Sequence, residues 1–397
     1  MGFTFSSFGD GMTRVALTWW VWETTKSPKA LAVLTLCYSG PVVVGGLVAG
    51  WLLDRFDRRR VIQMDNLLRG AVIGALPLLY IFGALELWHV YVAAGFYGTL
   101  FMVSLAGGPT LIPSLVPKEL LPTANALEML SFTIGGVLAP PLAGILASQF
   151  GAPSVLLLDS ISYFVFAAAL VKVKPRQAPS PRGSADSVGL IVAARFVAKN
   201  PILRSTTLMY MVANIGGGLI TVWLPIYADG LSSDGLRLYG ILLGVIGMGE
   251  VLSSFLSGAI ALPVTYGRGI SFALILSGVS MGSIVLSPRV FLTILGLFLY
   301  GLLTGPLTIW AQTLRMRIIP EEMRGRVFAL LRTMMQGAMP AGGALGGLLV
   351  PALGLGPAIL ITAGSLVVPG LLGLGVKELQ QDGERGGARH RHYQSNA

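Results

Sequence analysis

The chain has 397 residues, of which 54% are hydrophobic and only 12% charged, with a mean hydropathy of +0.74; ordinary soluble domains carry about a quarter charged residues. These values exclude a soluble enzyme and indicate a protein that lives in lipid. The net charge of +10 does not indicate nucleic acid, because the basic residues fall in short loops beside apolar segments, where anionic membrane lipids are the expected partners.

Apolar runs bounded by charge, proline or glycine predict an all-α membrane protein of twelve transmembrane helices. They lie at roughly 2–24, 31–53, 61–83, 88–112, 124–149, 154–172, 204–228, 237–261, 267–287, 290–314, 325–350 and 356–376. A hydrocarbon core of roughly 30 Å takes about 20 apolar residues and admits only helices or closed barrels. The first run begins almost at Met1 and carries Asp10 and Arg14 where a secretory signal core would be uncharged, so it is expected to be the first span and not a cleaved leader. One cysteine, Cys37, rules out an internal disulfide framework.

The long connection at 173–203 opens with a polar, proline-rich stretch followed by a short amphipathic one, and divides the spans six and six. The expected organisation is an N-terminal six-helix bundle over 1–172, a cytoplasmic linker over 173–203, a C-terminal six-helix bundle over 204–376 and a disordered tail over 377–397. The halves echo each other: Val116-Pro-Lys-Glu119 matches Ile319-Pro-Glu-Glu322, Ala126-Leu127 matches Ala329-Leu330, and Gly144 matches Gly347, all at one offset. Such internal repeats characterise transporters built from two related bundles. Lys and Arg concentrate in the loops after even-numbered spans and in the tail, while the opposite loops hold only Lys26, Lys29, Arg237 and Arg289. Both termini are therefore expected in the cytoplasm, with the protein a monomer in the cell membrane.

The charged turn between the second and third spans reads Gly50-Trp-Leu-Leu-Asp54-Arg55-Phe-Asp57-Arg58-Arg59-Arg60. It resembles the major facilitator superfamily signature Gly-x-x-x-Asp-(Arg/Lys)-x-Gly-(Arg/Lys)-(Arg/Lys), with Asp57 where a glycine is commonest. The resemblance implies that Gly50, Asp54, Arg55, Arg58, Arg59 and Arg60 form a cytoplasmic gate. Gly50 would let the second span approach a neighbour closely, and Asp54 would lie near the start of the eleventh span, whose N-terminal dipole favours an anion by about 0.3–1 kcal/mol. The fifth span, with Gly135, Gly136, Pro140, Pro141 and Gly144, and the eleventh, with Gly337, Pro340, Gly342, Gly343, Gly346 and Gly347, have small residues for close helix packing and prolines that bend the axis. The former partly resembles the glycine-proline motif of antiporter subfamilies.

Charges inside spans are expensive and mark function. Asp10 and Arg14 lie four apart on the first span and can pair; Asp65 and Arg69 repeat the spacing on the third and read as structural. Glu250 is the deepest isolated acid, and Glu128 and Arg332 lie at similar depth on the fifth and eleventh spans. A carboxyl group held away from water can bind and release a proton as its surroundings change, so Asp10, Glu128 and Glu250 are the candidates for proton coupling. Arg14, Asn214, Arg332 and Gln336 are the candidates for lining a substrate cavity.

No phosphate-binding loop occurs, and His89, His390 and His392 are too scattered for a metal site. No enzyme activity, metal or cofactor is expected. The stretches Phe8-Gly-Asp10-Gly-Met-Thr-Arg14 and Trp22-Glu-Thr-Thr-Lys-Ser27, with the Asp54 turn, resemble the drug:proton antiporter-3 group of macrolide, siderophore and lysophospholipid transporters. That implies a secondary active transporter using alternating access for proton-coupled export of a small amphipathic organic compound, drug-like or siderophore-like. The alternatives are a lysophospholipid flippase of the same fold, a non-transporting membrane sensor, and a divalent metal exporter, since Gly9-Asp10 also resembles ferroportin; there Arg14 stands where a metal ligand would be needed.

Overall fold

A computed structural model describes residues 2–171, 173, 187–259, 265–286, 289–320 and 323–381, and every regular element among them is helical. The main helices are α1 (Gly2–Thr25), α2 (Pro28–Arg55), α3 (Arg58–Ile81), α4 (Leu87–Leu115), α5 (Leu121–Phe150), α6 (Ala152–Val171) and α7 (Ser187–Lys199). They continue with α8 (Pro201–Leu231), α9 (Gly235–Ala259), α10 (Tyr266–Ser283), α11 (Val290–Ile318), α12 (Arg324–Gln336), α13 (Ala338–Leu353), α14 (Leu355–Leu374) and the short α15 (Lys377–Gln380). The polar part of the linker and the tail beyond 381 lie outside the described residues; α7 is the amphipathic stretch that follows the former.

Among the described residues nine helices are long and apolar enough to cross a membrane. Two of the other three expected spans, the first and the eleventh, depart from that standard for identifiable reasons. Ser6, Ser7, Asp10, Thr13 and Arg14 make α1 polar, and its serines and Thr13 are buried against protein. The side chains at 43, 44, 47 and 54 of α2 are outside the described set. The eleventh span is broken into α12 and α13 at Gly337. Pro340 has no N–H to offer the carbonyl of Gln336 and its ring crowds that carbonyl. Asn214 of α8 donates to the Met335 carbonyl beside the break at 2.9 Å, so a neighbouring helix satisfies backbone that the kink disturbs.

The helix ends follow local chemistry. Ser27 caps α2, accepting from the Ala30 N–H, with Pro28 in its first turn. Asp57 caps α3, accepting from the Arg60 N–H at 2.9 Å. Its φ of −59° is open to any residue, which explains why this turn does without the usual glycine. Gly151 and Gly354, with φ of +80° and +85°, turn the chain into α6 and α14.

The chain forms two compact units, one of residues 1–184, 221–244 and 343–352, the other of 185–220, 245–342 and 353–397. In the first, α1 packs on α5 and α6, α2 on α4, and α3 on α6 and α4. A Cβ at Gly98 of α4 would collide with the Tyr38 carbonyl of α2, and one at Gly240 of α9 with the Pro140 carbonyl of α5; these helices meet backbone to backbone. In the second unit α10 is central to α11 and α14, around a core that includes Met209, Ile270, Leu274, Leu307, Leu314 and Leu366.

Candidate functional site

The first unit encloses a polar cluster built by helical spacing. Asp10, Thr13 and Arg14 share a face of α1, Asp65 and Arg69 stand one turn apart on α3, Asp159 and Tyr163 one turn apart on α6, and α4 adds Tyr97 and Ser104. Arg69, 1% exposed, is the hub. Its Nη1 donates to Asp10 Oδ1 at 3.0 Å and to the Tyr163 hydroxyl at 3.3 Å. Its Nη2 donates to Asp65 Oδ2 at 2.8 Å and also to Ser104 Oγ, which in turn donates to Asp65 Oδ2 at 2.7 Å. The Asp10 carboxylate further accepts from Tyr97 at 2.6 Å and from Tyr163, and the guanidinium lies 4.5 Å from the Tyr163 ring centroid.

Asp159 is different. It is 1% exposed and accepts from Thr13 Oγ1 on one oxygen and from Ser162 Oγ at 3.1 Å on the other. No cation is within ion-pair distance of it among the described residues. Asp10 and Arg69 are the charged groups near enough to act on it through space. Its carboxylate seats on the backbone of α1 at Gly9, where a Cβ would collide with it. Asp10 and Asp65 thus share one enclosed guanidinium that does not pair with Asp159, while Arg14 at the exposed margin donates to the Tyr38 hydroxyl at 3.1 Å.

The expected Asp10–Arg14 pair is therefore replaced by Asp10–Arg69, because Arg14 is held on Tyr38 of α2 and Arg69 reaches across from α3. The Asp65–Arg69 pair is present at 2.8 Å. Glu128 is half-buried with Oε1 lacking a hydrogen-bond partner. Glu250 and Arg332 are exposed, as is Gln336 at the end of α12. In the gate motif a Cβ at Gly50 would meet no atom within van der Waals contact among the described residues. The side chain of Asp54 lies outside the described residues. Arg55 lies over the Trp51 ring at 5.7 Å, Arg58 and Arg60 stand in the first turn of α3, and Arg59 donates to the Val171 carbonyl at 2.8 Å, closing the C-terminal end of α6.

Three participants escaped the sequence reading. Asp159 sits mid-span and is exposed to the same argument that singled out Glu250. Tyr163 has no distinguishing signal among aromatics. Asp229 of α8 pairs with Lys26 at 2.8 Å and accepts from Trp22 Nε1 at 3.0 Å, and only the fold brings these positions together.

The family model described as transmembrane secretion effector matches residues 2–395. The chain is 23% identical over 383 residues to the multidrug efflux pump Tap of Mycolicibacterium fortuitum, covering 94% of this chain and 93% of Tap. It is 25% identical over 334 residues to the enterobactin exporter EntS of Salmonella typhi, covering 81% and 77%. Among solved structures, a point mutant of the peptide transporter POT superposes with a TM-score of 0.76 at 15% identity over 96% of this chain and 94% of that one, which speaks to fold alone. Its many apolar helices make this a multi-pass membrane protein, a transporter and not an enzyme, and the chain belongs to the transmembrane secretion effector family of the major facilitator superfamily.

Proposed function

We propose that the chain is a secondary active transporter that exports a small amphipathic organic compound, drug-like or siderophore-like, in exchange for protons. The observation that carries the reading is the enclosed cluster of α1, α3, α4 and α6, in which Asp10, Asp65 and Asp159 outnumber their guanidinium partners. An uncompensated buried charge is costly, so an acid without a cation is the member of the cluster best placed to exchange a proton. Asp10 and Asp65 have Arg69; Asp159 has hydroxyls only. Asp159 therefore joins Asp10, Glu128 and Glu250 as a proton carrier, and its contact with Thr13 and Gly9 ties protonation to the position of α1.

In this reading twelve spans form two six-helix bundles, 1–172 and 204–376, joined by the cytoplasmic linker 173–203, with both termini in the cytoplasm of the cell membrane and residues 377–397 as the tail. Alternating access moves one bundle against the other. Gly50, Asp54, Arg55, Arg58, Arg59 and Arg60 gate the cytoplasmic mouth, and Asp229 with Lys26 and Trp22 gates the opposite one. Arg14, Asn214, Arg332 and Gln336 line the path of the cargo, and a monomer suffices. The names of Tap and EntS support an organic cargo.

The test is proteoliposome transport of a dye or a catecholate siderophore chosen by ligand-linked stabilisation of the purified protein. Flux should follow an imposed pH gradient and lose that dependence in Asp159→Asn or Asp10→Asn. Flux indifferent to the gradient in the unmodified protein would overturn proton coupling, and movement confined to lysophospholipid would replace export by lipid flipping.

A further inference from the structure

The second unit holds a buried cation that the function above does not use. Arg315, in the last turn of α11, is 6% exposed. Its Nη2 donates to the Met335 thioether, at 3.3 Å, a weak acceptor. Among the described residues its Nε has no partner, and neither does the hydroxyl of Tyr210, both atoms being shielded from solvent. The guanidinium lies 5.1 Å from the Tyr210 ring centroid, and no acidic side chain pairs with it among the described residues. The negative C-terminal end of α11 explains a cation in this turn but not one turned inward. Arg317, two residues on, meets the same dipole from an exposed position, over the Tyr266 ring at 4.9 Å.

The surroundings are as selective as the charge. Tyr210, Ala213 and Trp310 pack against the apolar cluster containing Met209, Ala311 and Leu314. Asn214, one turn along α8 from Tyr210, holds the α12 break at Met335, so the thioether that meets Arg315 stands at a bend in the backbone. A guanidinium and a phenol on adjoining side chains, each with a donor unused among the described residues, offer what an oxyanion needs, and the apolar wall suits a hydrophobic body attached to it.

We infer that Arg315 and Tyr210 bind the acidic group, carboxylate or phosphate, of an amphipathic ligand, which under the transport reading is the cargo. The same chemistry is offered by the headgroup of an anionic lipid, and the orientation proposed above puts α11's end at the cytoplasmic leaflet. The experiment uses the full chain in phosphatidylcholine nanodiscs and measures binding of 1-pyrenebutyrate against the uncharged match 1-pyrenebutanol. Charge-assisted hydrogen bonds predict a preference for the acid of at least about tenfold. Arg315→Gln should abolish that preference, Arg315→Lys should keep part of it, and Tyr210→Phe should reduce it severalfold. Repeating the measurement with phosphatidylglycerol in the disc assigns the source: competition supports a lipid headgroup in the site, and its absence supports a free acid. An Arg315→Gln protein that folds and keeps the preference overturns the site, as does an unmodified protein without preference in either disc. Binding is read without transport, so a failure of proton-coupled export leaves this result standing and the two are told apart.

Discussion

Replacing Arg69 by Met and Asp159 by Asn should separate the structural from the transporting members of the acid cluster. Arg69 donates to both Asp10 and Asp65, at 3.0 and 2.8 Å, and is 1% exposed. Its loss leaves two carboxylates facing each other without a cation, and breaking a buried ion pair in this way costs about 3–5 kcal/mol. Asp159 has no ion pair to lose. An amide of the same shape retains an acceptor for Thr13 or Ser162, so the penalty is that of one altered hydrogen bond, about 0.5–1.5 kcal/mol. Resistance to unfolding in mixed micelles of increasing dodecyl sulfate content measures both. The expected order is unmodified, then Asp159→Asn close behind, then Arg69→Met far below. Arg69→Lys should fall between, since it restores the charge but not the two-pronged geometry. An Arg69→Met protein within about 1 kcal/mol of the unmodified one, or Asp159→Asn as unstable as Arg69→Met, would refute the assignment of Arg69 as the hub.

Asp57→Ala should destabilise the start of α3 by about 0.5–2 kcal/mol, whereas Asp57→Gly should cost only a few tenths, since glycine is a tolerable cap; hydrogen exchange of the Arg60 amide reads the difference. Gly98→Val should prevent correct packing of α2 on α4 because its side chain meets the Tyr38 carbonyl, while Gly50→Ala should express and fold like the unmodified protein; size-exclusion profiles decide. Asp229→Asn removes a partly exposed pair worth about 0–1 kcal/mol, and should increase labelling by an impermeant thiol reagent of a cysteine placed on α1 near Trp22. Unchanged labelling would mean that the pair closes nothing.

Hydropathy and loop charge made the helical order legible almost throughout, because the hydrocarbon core imposes the same length on every span. The eleventh span was the exception. Its prolines and glycines predict packing and bending; the structure has a break at Gly337, with Pro340 in the first turn of α13 and Asn214 donating to the Met335 carbonyl just before the break. The site was half legible for a related reason. Asp10, Asp65 and Arg69 stand out as charges in lipid, but pairing by spacing along one helix favoured Arg14 for Asp10, whereas the contact that forms runs across helices from Arg69. Asp159 obeyed the rule applied to other acids and lacked only a sequence neighbour to draw attention to it. Gly50 is a motif glycine with nothing packed against it among the described residues.

The central claim is exchange of cargo for protons through an acid that has no cationic partner among the described residues. Its most direct measurement is proton movement itself, read by a pH-sensitive dye trapped inside proteoliposomes as cargo is added on one side without any imposed gradient. The account predicts a cargo-dependent proton flux opposite to the cargo, present in the unmodified protein and abolished in Asp159→Asn. Cargo movement with no accompanying proton flux, or the same flux in Asp159→Asn, would contradict it.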